Sequence, residues 1–133
     1  MPGADIKPVL PVTLHSVDRT KHFPLYAIPD SGADTSCFPE DWAEFLGFDL
    51  TDCKERTVLT GAGVGRHYES PDPLMATVGG RDVELCACFG PVQVGLLGRD
   101  DFFRYFRVEF DQQSKVTVLR AYSARSVAAT KNA

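Results

Sequence analysis

The sequence predicts a mainly β, single-domain protein with one or two short helices. The chain has 133 residues, the size of one domain, and 44% of them are hydrophobic, which is enough for a folded core. Most apolar runs are only a few residues long and end at glycine, proline, aspartate or serine, as strands joined by tight turns do. Only residues 39–47 and 99–105 carry signals of helical structure.

The first third of the chain predicts two strands and a helix. Residues 8–14 are β-branched and apolar but contain two prolines, which favours an edge strand over a central one. Residues 22–28 form the second strand, after a polar turn. Residues 39–47 begin with proline and acidic residues, place apolar side chains on one helical face and end at Gly47, so a short helix is predicted there.

The middle third predicts two hairpins. Strands at 56–60 and 66–68 flank a glycine-rich tip at 61–65, which indicates a mobile hairpin. Strands at 74–78 and 81–89 flank Gly79-Gly80, a pair typical of a two-residue hairpin turn.

The last third continues with short strands and turns. Strands are predicted at 92–97, 107–110 and 116–119, with a helical turn or two at 99–105. Residues 121–133 are rich in Ala, Ser and Thr and have no periodic apolar face, so they are predicted to be a flexible tail. The folded domain is therefore expected to span residues 8–120.

Charge and hydropathy argue against several partners. Lys and Arg number 14 against 18 Asp and Glu, the formal net charge is -4, and no basic cluster is present. Nucleic acid is therefore not expected as a partner. The apolar runs are too short to cross a membrane, and the first residues lack the basic-then-apolar layout of a secretory signal, which predicts a cytoplasmic protein without a membrane partner.

The cysteines are predicted to be reduced and to pack in the core. The four are Cys37, Cys53, Cys86 and Cys88, and no C-x-x-C pair occurs among them. No HxH or HExxH spacing joins the three histidines, which are His15, His22 and His67. Core packing is therefore favoured over a zinc site, and neither a metal nor a cofactor is expected.

The segment most informative about function places an acid directly after an apolar strand. Asp30 follows Ala27-Ile28-Pro29 and precedes Ser31-Gly32. A tight Ser-Gly turn can present such a carboxylate rigidly to a cleft, because glycine allows a close backbone path. An ordinary Asx turn has the same residues, so this motif alone leaves both interpretations open.

Two motifs and a loop together resemble the retropepsin-like aspartic proteases. Asp30-Ser31-Gly32-Ala33-Asp34-Thr35 resembles their active-site signature, Asp-Thr/Ser-Gly-Ala, and Leu96-Leu97-Gly98-Arg99 resembles their later apolar-apolar-Gly-Arg motif. The glycine-rich tip at 61–65 lies where the family has its flap. The resemblance spans residues 8–120 and implies a closed β-barrel-like lobe with a flap hairpin. The helix predicted at 39–47 is more similar to cellular or bacterial single-domain members than to the smallest viral ones.

The resemblance implies an aspartic endopeptidase that cleaves a peptide or protein substrate. Its catalytic residue would be Asp30. Aspartic proteolysis needs two carboxylates that share a proton, and this chain contains one Asp-Ser-Gly motif. A homodimer is therefore expected, with Asp30 from each chain meeting at a two-fold axis.

The resemblance also implies roles for the neighbouring residues. The active-site loop would comprise Ser31, which links the two loops across the axis, Gly32, which admits substrate backbone, and Ala33. Asp34 and Arg99 would form a supporting ion pair, and Leu96, Leu97 and Gly98 would form the late glycine motif. The flap residues that close over the substrate would be Gly61, Ala62, Gly63, Val64 and Gly65.

Two alternatives stay open at the level of sequence. The chain could be a catalytically weak or inactive member that serves as a dimerisation or peptide-binding module, since Pro29 departs from the family pattern and removes one strand hydrogen bond before Asp30. A Cys37-dependent hydrolase is the more distant alternative, because no activating base for Cys37 is visible in the sequence.

Overall fold

The computed structural model of the chain describes residues 8–60 and 63–122. One α-helix, α1 (Trp42–Leu46), and one turn of 3-10 helix (Leu50–Asp52) occur in these ranges. The strands in the same ranges are β1 (Leu10–His15), β2 (His22–Pro29), β3 (Phe38–Pro39), β4 (Lys54–Thr60), β5 (Gly63–Glu69), β6 (Leu74–Val78), β7 (Arg81–Leu85), β8 (Cys88–Gly90), β9 (Gly95–Leu97), β10 (Phe106–Asp111) and β11 (Val116–Ala121). The prediction of a mainly β fold with one or two short helices is confirmed.

The largest sheet has five strands in the order β7-β6-β1-β2-β9. The prediction that the first strand lies at a sheet edge is wrong, because β1 pairs with β2 on one side and with β6 on the other. Pro8 precedes the strand, and β6 pairs only with Thr13 and Leu14, so Pro11 lies beyond the end of that pairing. Pro11 stays in register with Tyr26 of β2, and the β6 side of β1 is unpaired at this position, which leaves room for a residue without an N–H.

A second sheet has the strand order β3-β8-β5-β4, and β10 pairs with β11 in a separate two-stranded sheet. Strands β4 and β5 form the predicted hairpin, with registers from Lys54 opposite Glu69 to Thr60 opposite Gly63. The single strand predicted at 81–89 is divided between the two larger sheets, as β7 and β8. The division falls at Cys86, whose N–H donates to the Asp101 carboxylate at 2.8 Å.

Glycines end two of the elements as the sequence predicts. Gly79 and Gly80 turn β6 into β7 with φ values of +57° and +77°, which favour glycine. Gly47 ends α1 with a φ of +87°. Residues 99–105 form turns rather than a continuous helix, and Phe102 N–H donates to Gly98 O at 3.1 Å.

The sequence predicts that the folded domain ends at residue 120 and that a flexible tail follows. Ala121 still pairs with Phe106 as the last residue of β11, and Tyr122 N–H donates to Tyr105 O at 2.8 Å. Of the predicted flexible tail, residues 123–133 lie outside the described residues.

Alternate residues of the strands and several aromatic rings pack together as one apolar core. Its largest fully buried side chains include Phe38, Phe89 and Phe102. Phe38 packs directly against β9, since a Cβ on Gly95 would lie 3.0 Å from its ring. Truncating such a ring to alanine typically costs about 3–5 kcal/mol, so the core fixes the strands that carry the site. In the part of the chain that the structure describes, neither helix is long and apolar enough to span a membrane.

Candidate active site

Asp30 directly follows β2 at the centre of the candidate site. Strand β2 runs parallel to β9, with Pro29 opposite Leu97, and Asp30 N–H donates to Leu97 O at 2.8 Å. Pro29 is buried and remains in the register of β2 although it has no N–H to donate. The backbone therefore holds Asp30 against the strand that carries the late glycine motif.

The Asp30 carboxylate is oriented by its own loop. Gly32 N–H donates to Asp30 Oδ1 at 2.8 Å, and Ala33 N–H donates to Asp30 O at 3.1 Å. A Cβ on Gly32 would lie 3.1 Å from the same Oδ1, so glycine leaves this carboxylate uncrowded. Ser31 and Gly32 are exposed and Asp30 is half-buried, so the loop presents one fixed carboxylate at the protein surface.

Backbone hydrogen bonds join the Asp30 loop to the segment after β9. Arg99 N–H donates to Ala33 O at 2.9 Å, and Asp100 N–H donates to Asp34 O at 2.8 Å. The side chains of Asp34 and Arg99 also meet, with Asp34 Oδ1 2.6 Å from Arg99 Nη2. Their side chains are 77% and 55% exposed, so this ion pair contributes at most about 1 kcal/mol. The backbone bonds are the stronger link between the two segments.

Gly98 permits the closest approach between these segments. A Cβ on Gly98 would lie 2.2 Å from the carbonyl carbon of Thr35 and 2.6 Å from its Cα, so no side chain fits. Gly98 N–H donates to the hydroxyl of the fully buried Ser36 at 3.1 Å. Leu96, one of the other late-motif residues, exchanges two backbone hydrogen bonds with Cys37, at 2.9 and 2.8 Å.

Asp101 supports the site, although its sequence context does not distinguish it from other acids in turns. Its carboxylate accepts backbone N–H bonds from Ser36, Cys86 and Phe102, the shortest at 2.8 and 2.9 Å. It thereby ties the end of the Asp30 loop to the crossing between β7 and β8. The sequence around Asp101 does not reveal this role, because an acid before a buried phenylalanine is also typical of ordinary capped turns.

The β4–β5 hairpin carries the residues expected to form a flap. Gly61 and Ala62 lie outside the described residues, whereas Gly63, Val64 and Gly65 belong to β5. Val64 is 71% exposed. A Cβ on Gly65 would lie 2.9 Å from Cγ of Pro91, so glycine lets the hairpin pack closely on the segment before β9.

Cys37 and Cys88 are buried in the core, as the sequence predicts, whereas Cys53 and Cys86 are only partly buried. Cys37, His67 and Cys88 bring their Sγ and Nδ1 atoms within 4.8 Å of one another, so a histidine does join two of the thiols. This cluster has no signature in the sequence, because Cys37 and His67 are 30 residues apart and His67 and Cys88 are 21 residues apart. Cys86 contacts Glu69 instead, with Sγ 3.1 Å from the carboxylate.

Cys37 has a histidine beside it but is too deeply buried to act as a nucleophile. A base does lie near, because His67 Nδ1 is 4.0 Å from Cys37 Sγ. Cys37 is only 5% exposed, however, so a substrate has no access to its sulfur.

Comparison with known proteins identifies the fold. No protein-family model matches the chain, and no curated protein gives a significant match. Among solved structures, a retropepsin-like aspartic protease from Rickettsia conorii is similar with a TM-score of 0.61 and 21% identity, over 85% of this chain and 88% of that one. EIAV protease in complex with the inhibitor HBY-793 is similar with a TM-score of 0.53 and 20% identity, over 75% of this chain and 88% of that one. The chain therefore has the fold of the retropepsin-like aspartic proteases.

Proposed function

We propose that the chain is an aspartic endopeptidase whose active site is completed in a homodimer by Asp30 of both subunits. The observation that carries the proposal is the Asp30 carboxylate itself, which follows β2 and is oriented by Gly32 N–H at 2.8 Å. The chain has the same fold as two solved aspartic proteases, and this similarity supports a catalytic use of the carboxylate.

The chemistry requires two carboxylates and one proton between them. One ionised carboxylate removes a proton from water, whose oxygen attacks the carbonyl carbon of the scissile peptide bond. The other carboxyl group is protonated and donates a hydrogen bond to the carbonyl oxygen. The tetrahedral intermediate then breaks its C–N bond, and the leaving amine takes up a proton. This step forms no covalent bond between enzyme and substrate.

A second copy is the proposed source of the second carboxylate. The chain contains a single Asp-Ser-Gly motif, and its Ser31 and Gly32 are exposed beside Asp30. A two-fold axis beside this loop brings an identical loop to face it, so each dimer has one shared site.

The remaining site residues receive supporting roles in this proposal. Ser31, Gly32 and Ala33 shape the loop, while the Asp34–Arg99 pair and Leu96, Leu97 and Gly98 hold it in place. The flap over an extended peptide would comprise the β4–β5 hairpin and the glycine-rich sequence Gly61, Ala62, Gly63, Val64 and Gly65. Its backbone groups add strand-like hydrogen bonds to the substrate.

The test is cleavage of a diverse peptide library, read by mass spectrometry from acid to neutral pH. We expect the wild type to cut and a folded Asp30→Asn variant not to cut, and a pepstatin-type inhibitor to block the wild type. Asp72→Asn is the matched control, since Asp72 is exposed and lies in the turn between β5 and β6. It should retain wild-type cleavage.

Oligomeric state is measured in parallel by sedimentation. A folded, dimeric wild type that cuts no peptide at any pH would contradict the proposal and favour a peptide-binding module. Cleavage by Asp30→Asn at the wild-type rate would contradict the assigned role of Asp30.

A further inference from the structure

Three potential metal ligands converge from segments that are far apart in sequence. Cys37 follows the Asp30 loop and pairs with Leu96, His67 lies in β5, and Cys88 begins β8. His67 Nδ1 lies 4.0 Å from Cys37 Sγ and 3.8 Å from Cys88 Sγ. All three atoms lie within 4.8 Å of one another.

These distances are close to those of a tetrahedral zinc site. Zn–S bonds of about 2.3 Å and Zn–N bonds of about 2.0–2.1 Å place two sulfurs about 3.8 Å apart and a sulfur and a nitrogen about 3.6 Å apart. The two sulfur–nitrogen distances here exceed that value by only a few tenths of an ångström. The two sulfurs lie within 4.8 Å of each other, so they would approach by up to about 1 Å when both coordinate one ion.

The His67 imidazole packs closely against Gly90 of β8. A Cβ on Gly90 would lie 2.7 Å from Cδ2 of His67 and 3.0 Å from its Nε2. Glycine at this position therefore lets the ring pack flat against β8 while Nδ1 faces the two sulfurs. Burial and the charge of Arg56 lower the pKa of His67.

The chemistry of the three ligands favours zinc over the hard divalent cations. Two thiols and one imidazole suit zinc, whereas Mg²⁺ and Ca²⁺ prefer oxygen ligands. Cys37 and Cys88 are 5% and 1% exposed, so their sulfurs are shielded from competing solvent. Three protein ligands leave the fourth tetrahedral position to a water or another small ligand.

We propose that Cys37, His67 and Cys88 bind one zinc ion. Binding displaces the protons of the two thiols, so each sulfur coordinates as a thiolate and the protons pass to solvent. The ion would fasten the β4–β5 hairpin, through His67, to β8 and to the segment that follows the Asp30 loop. This site is separate from Asp30 and does not depend on the proposed protease activity.

The test uses the full chain, reduced and stripped of metal with a chelator, and Zn²⁺ as the probe. Competition with a chromophoric chelator should give one equivalent of zinc per chain, and the affinity should rise with pH because the thiols must lose protons. X-ray absorption of the zinc-loaded wild type should report two sulfur ligands at about 2.3 Å and nitrogen or oxygen at about 2.0 Å. This measurement needs no variant and so does not depend on any variant folding.

Variants assign the ligands. Cys37→Ser, Cys88→Ser and His67→Ala should each lower the zinc affinity by at least about 100-fold, the upper end of what even outer-shell substitutions cost. Cys53→Ser is the matched control, because Cys53 Sγ contacts Asp49 O rather than the cluster, and it should bind zinc like the wild type. Asp30→Asn should also bind zinc like the wild type, which separates this proposal from the proposed protease activity.

Three outcomes would overturn the proposal. They are a folded, reduced wild type that binds no zinc, a bound zinc with fewer than two sulfur ligands, and loss of binding in Cys53→Ser alone. In the first case, peptide mapping of the unreduced protein distinguishes a Cys37–Cys88 disulfide from a pair of buried thiols.

Discussion

Replacing Asp101 by asparagine should destabilise the protein by about 2–4 kcal/mol. The carboxylate accepts N–H bonds from Ser36 and Phe102 on Oδ1 and from Cys86 on Oδ2, at 3.1, 2.9 and 2.8 Å. Asparagine has one carbonyl oxygen, so in either orientation its NH₂ faces a backbone N–H. The unpaired donor costs about 1–3 kcal/mol, and loss of the charge weakens the remaining bonds by about 1 kcal/mol.

The assay is urea unfolding at one protein concentration. With a slope of about 1.5 kcal/mol per molar urea, the Asp101→Asn midpoint should fall by about 1.3–2.7 M with the slope unchanged. The matched control is Asp100→Asn, because Asp100 is exposed and its change should stay within about 0.5 kcal/mol of wild type. An Asp101→Asn variant that unfolds within 0.5 kcal/mol of wild type would refute the view that this carboxylate joins the segments around the site.

Three further predictions concern the site and the fold. Gly98→Ala should cost about 3 kcal/mol or more in urea unfolding, because its Cβ would meet the carbonyl carbon of Thr35 at 2.2 Å. Asp18 should titrate by NMR with a pKa of about 2, since hydrogen bonds from Thr20 favour its ionised form; the stability that it contributes is present above about pH 4 and is lost as the pH falls through 2. Arg99→Gln should lower stability by less than about 1 kcal/mol, because its ion pair is exposed, and added salt should shrink the difference.

Each of these has an opposite result that would count against it. A Gly98→Ala protein as stable as wild type would mean that the backbone at Thr35 can move away from the added Cβ at little cost in free energy. An Asp18 pKa near the ordinary value for aspartate would remove the pH effect. A loss of several kcal/mol in Arg99→Gln would show that the side-chain pair, rather than the backbone bonds beside it, holds the Asp30 loop.

The elements that local sequence determines were predicted well. The Gly79-Gly80 hairpin and the helix ending at Gly47 are specified by residues next to one another, through backbone conformations that glycine favours. Asp30-Ser31-Gly32 and Gly98-Arg99 stood out because each is a contiguous motif. Their contact could be anticipated only from the resemblance to a family, since 65 residues separate Asp34 from Arg99.

The features that the sequence did not reveal depend on contacts between distant segments. Asp101 looked like one more acid in a polar turn, yet it binds the N–H of Cys86 and thereby divides a predicted strand between two sheets. The Cys37–His67–Cys88 cluster has no recognisable spacing, because its members come from three segments that only the sheet brings together. The central position of β1 likewise follows from pairing with β6, which local composition does not encode.

The most direct test of the shared active site is a mixing experiment. Wild-type chain at a fixed concentration is mixed with increasing Asp30→Asn chain, allowed to exchange subunits, and assayed on a peptide that the wild type cuts. If two Asp30 carboxylates form one site, mixed dimers are inactive, so activity should fall to about half at a 1:1 ratio and to about one tenth at a ninefold excess of variant. Activity that stays constant as the variant is added would contradict the account, because each chain would then cut without its partner's Asp30.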